Sequence, residues 1–308
     1  MRTPSEPFGA AGTPGAARAG HLAMLLFSAL VAGSFSLGGQ VAAEIAPTAL
    51  NAVRFAIAAV IMGAVVWARG RVMRGAVRAA LVAPWRYLIL GGLFAIYFVL
   101  MFEGLKTAPP VSAAAVFTLT PLMSALFGWL LLRQVMNGRI AAALAIGGVG
   151  AGWVIFRADW QAFVAFEVGR GEAIYFVGCV AHAIYTPMVR RLNRGEPVLV
   201  FAFLTLVACA GCIAVWGVGD LAATDWGALR PMVWVAIGYV AIFASAATVF
   251  LIQFASMRLP SSKVMAYTYL TPSWVILWEI ALGQPVPGGL ILGGIGLTVL
   301  ALGLLLKE

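Results

Sequence analysis

The sequence reads APPVSAAAVFTLTP from Ala108 to Pro121 and LPSSKVMAYTYLTP from Leu259 to Pro272. Aligned at an offset of 151 residues, the two stretches share an early proline, an alanine and a closing Leu-Thr-Pro. A second pair follows them, since GGVG at Gly147–Gly150 resembles GGIG at Gly293–Gly296 at an offset of 146. Because both pairs occur in the same order, the chain is interpreted as a duplicated unit.

The composition around these stretches is that of a membrane protein. Of the 308 residues, 63% are hydrophobic and only 10% are charged, and the mean hydropathy is +1.00. Soluble domains carry about 25% charged residues. A helix needs roughly 20 apolar residues to cross a bilayer. Apolar stretches of that size predict ten spans, at 21–38, 47–68, 85–106, 109–132, 139–156, 171–189, 197–219, 231–257, 260–282 and 287–306.

Each copy of the repeat therefore holds five spans, and five is an odd number. The second copy must enter the membrane from the opposite side, which predicts an all-α membrane protein of ten transmembrane helices in two inverted five-helix repeats. Inverted repeats are the construction of many secondary transporters. The predicted organisation is a disordered cytoplasmic tail at 1–19, the first repeat at 20–156, an outer linker at 157–170 and the second repeat at 171–308.

The loops differ in charge between the two sides of the membrane. Fifteen of the 20 basic residues fall on the side of the N-terminus, whereas Lys106, Arg157, Arg170 and Arg230 fall on the other side. Lys and Arg favour the cytoplasmic face. This bias predicts a multi-pass protein of a bacterial inner membrane with both termini in the cytoplasm.

Several other functions find no support in the sequence. The net charge of +9 lies in loops and forms no nucleic-acid surface. No G-x-x-x-x-G-K-[ST] loop is present, which argues against ATP hydrolysis. The three cysteines lie in apolar stretches and are interpreted as core residues. No catalytic residue, metal site or cofactor is predicted, and the chain is not expected to be an enzyme, although a channel or a polytopic membrane enzyme remains an alternative.

Three motifs carry a resemblance to a known family. Pro47, Leu50, Arg54 and Phe55 fit the pattern P-x-x-L-x-x-x-R-F loosely, and Leu-Thr-Pro occurs in both the fourth and the ninth span. The chain resembles the drug/metabolite transporter superfamily, specifically its EamA-type members with two five-helix repeats. Within it, the chain is similar to the YddG-type amino-acid exporters of the inner membrane.

That resemblance implies export of aromatic and other neutral amino acids. One departure concerns a glutamate that EamA-type proteins commonly place after the fourth and ninth helices. This chain has Arg133 and Gln284 there. No role of that glutamate is carried over.

Arg54 is a candidate functional residue because it lies about eight residues inside the second span. An uncompensated charge near the membrane centre costs roughly 3 kcal/mol. Glu103 and Glu279 are its possible charge partners. Arg54 either forms a structural ion pair or draws a substrate carboxylate into a cavity.

His182 and four tyrosines form a second group of candidates for substrate binding. A histidine within a span either binds substrate, titrates or makes a hydrogen bond between helices. Tyrosine combines a large apolar surface with a polar tip, which suits an amino-acid side chain. The tyrosines are Tyr97, Tyr185, Tyr267 and Tyr269.

Three prolines lie inside spans, and each removes a backbone hydrogen bond. We expect Pro121, Pro187 and Pro272 to kink their helices and to be candidate gating hinges, with Pro121 and Pro272 at equivalent positions in the two repeats. By contrast, Gly148/Gly152 and Gly289/Gly293 give the fifth and tenth spans small-residue faces. Such faces favour close packing, so these two spans are predicted to buttress the bundle.

Together these features predict a secondary carrier that exports small metabolites, with aromatic or neutral amino acids as the predicted substrates. It would work by alternating access of a central cavity between the repeats. A carrier for drugs or other metabolites of the same superfamily is the alternative. The expected partners are a small-molecule substrate and membrane lipid, with no nucleic acid.

Overall fold

The computed structural model describes residues 14–134, 138–156, 159–161, 168–286 and 288–306. In this part of the chain the regular structure is helical throughout, without a β-strand. The helices are α1 (Pro14–Val41), α2 (Pro47–Ala68), α3 (Arg71–Ala80), α4 (Trp85–Gly104), α5 (Pro110–Phe117), α6 (Thr120–Leu132), α7 (Gly138–Ile155), α8 (Arg170–Leu192), α9 (Val198–Trp216), α10 (Val218–Ala223), α11 (Pro231–Ala241), α12 (Thr248–Ser256), α13 (Ser261–Ala266), α14 (Thr271–Ala281) and α15 (Gly289–Leu306).

Two other helical forms interrupt this series. A π-helix, Ile242–Ala247, joins α11 to α12, and a 3-10 turn, Tyr267–Leu270, joins α13 to α14. Within the described ranges, nine helical stretches are long and apolar enough to cross a membrane. The ninth span in chain order consists of α13, the 3-10 turn and α14. The prediction of an all-α membrane protein with two repeats is confirmed.

Prolines mark the start of several spans. Pro47, Pro110 and Pro231 each occupy the first helical turn, preceded by extended backbone. Proline is favoured there because the N–H that it lacks would have no partner inside the helix. The sequence therefore sets where these spans enter the membrane.

The first span begins earlier than predicted, so the tail that precedes it is shorter than the predicted 1–19. The helix α1 begins at Pro14, so residues 14–19 belong to it, where Ala16 and Ala17 favour helix. Residues 1–13, 157–158 and 162–167 lie outside the described residues. So do Arg2, Arg157 and Lys307, which entered the charge prediction, and most of the predicted linker.

The helix α3 lies in a segment that was interpreted as a loop. Val77 and Ala80 are buried, whereas Arg71 and Arg78 are exposed. This separation of apolar and basic faces is typical of a helix that lies along the membrane surface.

Contacts at the two ends of the bundle show the inverted arrangement. Ser112, near the start of the fourth span, donates a 2.7 Å hydrogen bond to Glu172 at the start of α8. Ser261, at the start of the ninth span, donates its backbone N–H to Gln134, just beyond the end of the fourth span, at 3.1 Å. The fourth and ninth spans therefore start at opposite ends of the bundle.

The end that contains Gln134 is the basic end. There Arg191 donates to the carbonyl oxygen of Leu131 at 3.2 Å, and Arg86 forms a 2.6 Å salt bridge with Glu196. Hydrogen bonds from Arg86 and the backbone outweigh partial burial and lower the pKa of Glu196. The described basic residues at this end are Arg18, Arg69, Arg71, Arg74, Arg78, Arg86, Arg133, Arg139, Arg190, Arg191, Arg194, Arg258 and Lys263.

The fifth and tenth spans pack closely against each other. Close packing was predicted for both spans, but without naming this partner and through other glycines. A Cβ atom at Gly150 would lie 2.6 Å from the carbonyl oxygen of Gly294, which leaves no room for a side chain. By contrast, Cβ atoms at Gly148, Gly289 and Gly293 would meet nothing within 4 Å. Small residues let helix backbones approach in a membrane, and here Gly150 and Gly294 do so.

Candidate functional site

Arg54 is fully buried at the interface between the two repeats. Its Nε donates to Ser245 Oγ at 2.8 Å, and one terminal nitrogen donates to the carbonyl oxygen of Ala244 at 2.9 Å. The other terminal nitrogen donates to Asn51 Oδ1 at 3.3 Å. Ser245 and Ala244 belong to the second repeat, so a side chain of the first repeat is held mainly by the second.

The acceptors around Arg54 are all neutral. Glu103 instead forms a 2.7 Å ion pair with Lys106, and both side chains are partly exposed. Glu279, also partly exposed, makes no salt bridge to Arg54 in the described part of the chain. Glu103 and Glu279 are therefore not its partners, because the guanidinium points toward the eighth span.

Aromatic rings enclose the guanidinium on its other sides. Its central carbon lies 4.2 Å from the ring centre of Phe98, 4.9 Å from that of Phe55 and 5.6 Å from that of Phe102. A cation over an aromatic face gains about 2 kcal/mol when desolvated. These rings stabilise the buried charge but supply no negative counter-charge.

The π-helix provides the contacts to Arg54, and sequence reasoning missed it. Its extra residue per turn is accommodated where Ala244 and Ser245 meet the guanidinium. Such bulges are frequent at functional sites. The segment IFASAA contains neither Gly nor Pro, the residues that usually mark a helix irregularity. The usable signal for this site was Ser245, a hydroxyl in an apolar stretch.

His182 and Tyr97 lie beside this site in one aromatic cluster. Their rings stack with centres 4.3 Å apart and an interplanar angle of 16°. Tyr97 also packs against Phe98, with ring centres 4.5 Å apart, and Phe98 contacts Arg54. His182 Nδ1 is buried without a hydrogen-bond partner in the described residues. The structure thus brings Arg54, Tyr97 and His182 together.

Tyr185 joins the cluster from the next turn of α8. Its ring centre lies 4.1 Å from that of Phe94, and its hydroxyl accepts a 2.9 Å hydrogen bond from Gln253. Gln253 also donates to Thr205 at 3.1 Å, while its Oε1 has no partner among the described residues. Sequence reasoning missed Gln253, although a single amide inside VFLIQFA was a usable signal.

Tyr267 and Tyr269 lie elsewhere, so they do not join the predicted group. The Tyr267 hydroxyl is 3.2 Å from His21 Nδ1 in α1. Tyr269 packs against Gly147 of α7, and its carbonyl oxygen accepts a 3.1 Å hydrogen bond from Thr298 of α15. The 3-10 turn directs Tyr267 and Tyr269 outward, toward the first, fifth and tenth spans.

Two of the three prolines mark breaks rather than kinks in a continuous helix. Pro121 and Pro272 each lie in the first turn of a new helix, α6 or α14, directly after an interruption. A proline ring clashes with the carbonyl four residues earlier, which explains why the interruption comes first. Pro187 differs, since α8 continues through it from Arg170 to Leu192.

The described residues contain no group of three or more His, Cys, Asp or Glu side chains that could hold a metal ion. The site thus consists of one cation, neutral polar groups and aromatic rings. These groups are chemically complementary to a carboxylate next to an apolar or aromatic group.

Comparison with known proteins identifies the family. The profile of the EamA-like transporter family matches residues 18–156 and again residues 169–307. The chain belongs to the EamA-like transporter family. Its two matches coincide with the two inverted repeats, and the family places the chain in the drug/metabolite superfamily as a membrane transporter of small molecules.

Similar proteins agree with this assignment. The uncharacterized transporter YyaM of Bacillus subtilis (strain 168) is 24% identical over 277 residues, which cover 89% of this chain and 90% of YyaM. A solved crystal structure of a protein that is 23% identical covers 95% of this chain and 96% of its own, with a TM-score of 0.70. That structure shows that the fold is shared.

Proposed function

We propose that this transporter is a secondary carrier that exports aromatic and other neutral amino acids by alternating access of a site between its repeats. The observation that carries the proposal is Arg54, a buried guanidinium whose hydrogen-bond acceptors are all neutral. A charge taken out of water needs a counter-charge for full compensation. A substrate carboxylate supplies that counter-charge.

The surroundings of Arg54 favour a substrate with an apolar or aromatic side chain. Phe98, Tyr97 and His182 form a continuous wall of rings next to the guanidinium. Aromatic walls bind such side chains through large contact areas with preferred geometries. The unpartnered Nδ1 of His182 supplies a hydrogen-bonding group for a polar part of the substrate.

The hydrogen bonds of Arg54 suggest how binding drives the change of access. Arg54, Tyr97 and His182 are at most 1% exposed, so this conformation encloses the site. The bonds to Ser245 and Ala244 cross between the repeats. A carboxylate that binds Arg54 competes with these acceptors, which loosens one link between the repeats and lets them move.

The proposed location and direction depend on charge and resemblance. By the positive-inside rule, the basic end is proposed to face the cytoplasm. The proposed location is therefore a bacterial inner membrane, with both termini in the cytoplasm. Export follows from the resemblance to YddG-type proteins. The prolines Pro121, Pro187 and Pro272 are proposed to assist gating.

The test is counterflow in liposomes that contain the purified protein and are preloaded with an unlabelled solute. We expect saturable exchange of radiolabelled phenylalanine or leucine. Phenylalaninamide, which has no carboxylate charge, is the matched analogue and should not compete with phenylalanine. Flux that never saturates would indicate a channel, and full competition by phenylalaninamide would overturn the role of Arg54.

A further inference from the structure

A groove on the outside of the bundle lies at the basic end. It borders the π-helix that contacts Arg54. Its volume is about 650 Å³, and α2, α3, the start of α9 and the eighth span form its walls. Ile61, Val65 and Phe250 are among its apolar lining residues. Val65 and Ile242 on its rim are 39% and 46% exposed. Apolar side chains exposed at this depth face lipid tails in a membrane protein.

The charges in the groove are confined to its mouth. Arg69 follows directly after α2, and Arg258 lies two residues beyond the end of α12. Both therefore lie where the spans leave the membrane. The described residues that line the groove include no acidic side chain. The groove thus has an apolar body and a cationic mouth at the membrane surface.

Arg258 is already oriented by its neighbours. Its guanidinium lies 3.5 Å from the ring centre of Phe254 and donates a 2.8 Å hydrogen bond to the Phe254 carbonyl oxygen. Arg258 is partly buried, and this desolvation lowers its pKa. A phosphate at the mouth would offset that desolvation, because guanidinium and phosphate form strong charge-assisted hydrogen bonds.

We propose that this groove binds one anionic phospholipid of the adjacent leaflet, with its phosphate between Arg69 and Arg258 and an acyl chain along the apolar body. The charge pattern favours a lipid over a free solute, since a soluble anion would use the mouth and leave the apolar body uncovered. Ile242, Ala246 and Ala247 of the π-helix line the groove. The lipid would therefore contact the π-helix on the side away from Arg54.

The test measures lipid retention, so it does not depend on the transported solute. Purified protein is incubated with equal amounts of phosphatidylglycerol and phosphatidylcholine of the same acyl chains, and bound lipid is counted by native mass spectrometry. We expect a clear preference for phosphatidylglycerol. The double variant Arg69→Gln/Arg258→Gln should lose it, by roughly fivefold for each arginine. The matched control, Arg71→Gln/Arg78→Gln, removes the same charge from the exposed face of α3 and should keep the preference.

A second variant tests the apolar body. Ala247→Phe fills the groove and should reduce retention of both lipids, whereas Val235→Phe, on an exposed part of the same span, should not. Three results would overturn the proposal: equal loss of preference in both arginine pairs, full retention in Ala247→Phe, or displacement of the lipid by inorganic phosphate or by an amino acid.

Discussion

The fourth and ninth spans occupy equivalent places in the two repeats. In both, the helix is interrupted immediately before the Thr-Pro of a Leu-Thr-Pro sequence. In the fourth span, Phe117 at the break packs against Tyr97 and His182, with ring centres 5.8 and 5.5 Å apart. In the ninth span, Tyr267 and Tyr269 point away from that cluster. The duplication thus sets where the helices break, whereas the side chains around each break decide which one touches the site.

The hydrogen bonds at the two breaks differ in the same sense. The Thr120 hydroxyl donates to the carbonyl oxygen of Phe117 at 2.5 Å, which satisfies a group that the break leaves open. Its counterpart Thr271 is buried, and its hydroxyl has no partner among the described residues. At the second break, Thr268 bonds to the Met265 carbonyl and Thr298 of the tenth span bonds to the Tyr269 carbonyl. We infer that the first break is fixed beside the site and that the second is held in part by the tenth span.

The largest effect is expected at Arg54, whose aromatic surroundings connect through Tyr97 to Phe117 at the fourth-span break. Arg54→Ala should weaken amino-acid transport by about thirtyfold or more, because removing one partner of a buried charge pair costs about 2–5 kcal/mol. Arg54→Lys keeps the charge but loses the fork of donors, so it should retain partial transport.

The measurement is counterflow at a series of substrate concentrations. Ser245→Ala, which removes one neutral acceptor that competes with the carboxylate, is the control; it should not weaken affinity and should change it by only a few fold. Unchanged substrate affinity in folded Arg54→Ala would remove the carboxylate role.

A matched aromatic pair separates the two breaks. Phe117→Leu and Tyr269→Leu each shrink a fully buried ring, and each should cost about 1–2 kcal/mol of stability. Only Phe117→Leu should also raise the KM for amino acids, since Phe117 contacts His182. Thermal unfolding and counterflow together measure both effects. An equal rise in KM for Tyr269→Leu would show that the ninth-span break also reaches the site.

The prolines test whether the breaks act as hinges. Pro121→Ala and Pro272→Ala restore an N–H donor and let each helix close over its break. We expect turnover to fall about fivefold with little change in KM, and more for Pro121, which lies beside the site. Pro187→Ala serves as the comparison: α8 is continuous at Pro187, so we expect a smaller fall in turnover there than at either break. Unchanged turnover in both Pro121→Ala and Pro272→Ala would exclude a gating role.

The smallest effect is expected for an exposed ion pair, Glu44–Arg230, that joins the two repeats. It lies at the opposite end of the bundle from the basic residues. Arg230 donates a 2.8 Å hydrogen bond from Nε to Glu44, and this contact lowers the pKa of Glu44 from its ordinary value of 4.5. A depressed pKa means that the contribution to stability is present above pH 4.5 and lost as the pH falls through the lowered value.

Thermal unfolding of the wild type and Glu44→Gln from pH 7 to pH 3 checks this link. The wild type should be slightly more stable at pH 7, and the difference should vanish in acid. Glu103→Gln breaks an ion pair within one helix turn and serves as the control for generic charge loss. A difference between wild type and Glu44→Gln that persists at pH 3 would contradict the assignment.

Much of the fold could be predicted from the sequence because span length and charge bias are properties of single segments. The spans and the duplication followed from such features, whereas the glycines through which the fifth and tenth spans pack did not. The π-helix did not, since its geometry depends on how Ser245 and Ala244 meet Arg54 from another repeat. Tyr269 was placed in the predicted site for the same reason: its direction is set by a 3-10 turn that no local pattern marks.

The candidate site was predicted in part. Arg54, Tyr97, His182 and Tyr185 do come together, because a charge or polar ring inside an apolar span must find partners in the bundle. The partners themselves were predicted wrongly. Charge complementarity favoured Glu103 and Glu279, whereas the structure supplies neutral acceptors. The proposed role of Arg54 in carboxylate binding rests on that difference.

The inverted arrangement is the central claim, and equivalent exposed positions test it directly. Pro109 and Pro260 precede the fourth and ninth spans in the two repeats, and both are exposed. Single cysteines, Pro109→Cys and Pro260→Cys, are introduced after Cys212 is replaced by alanine, and intact cells are treated with a membrane-impermeant maleimide. The account predicts labelling at position 109 in intact cells and at position 260 only after the cells are opened. Labelling of both positions from the same side would contradict it.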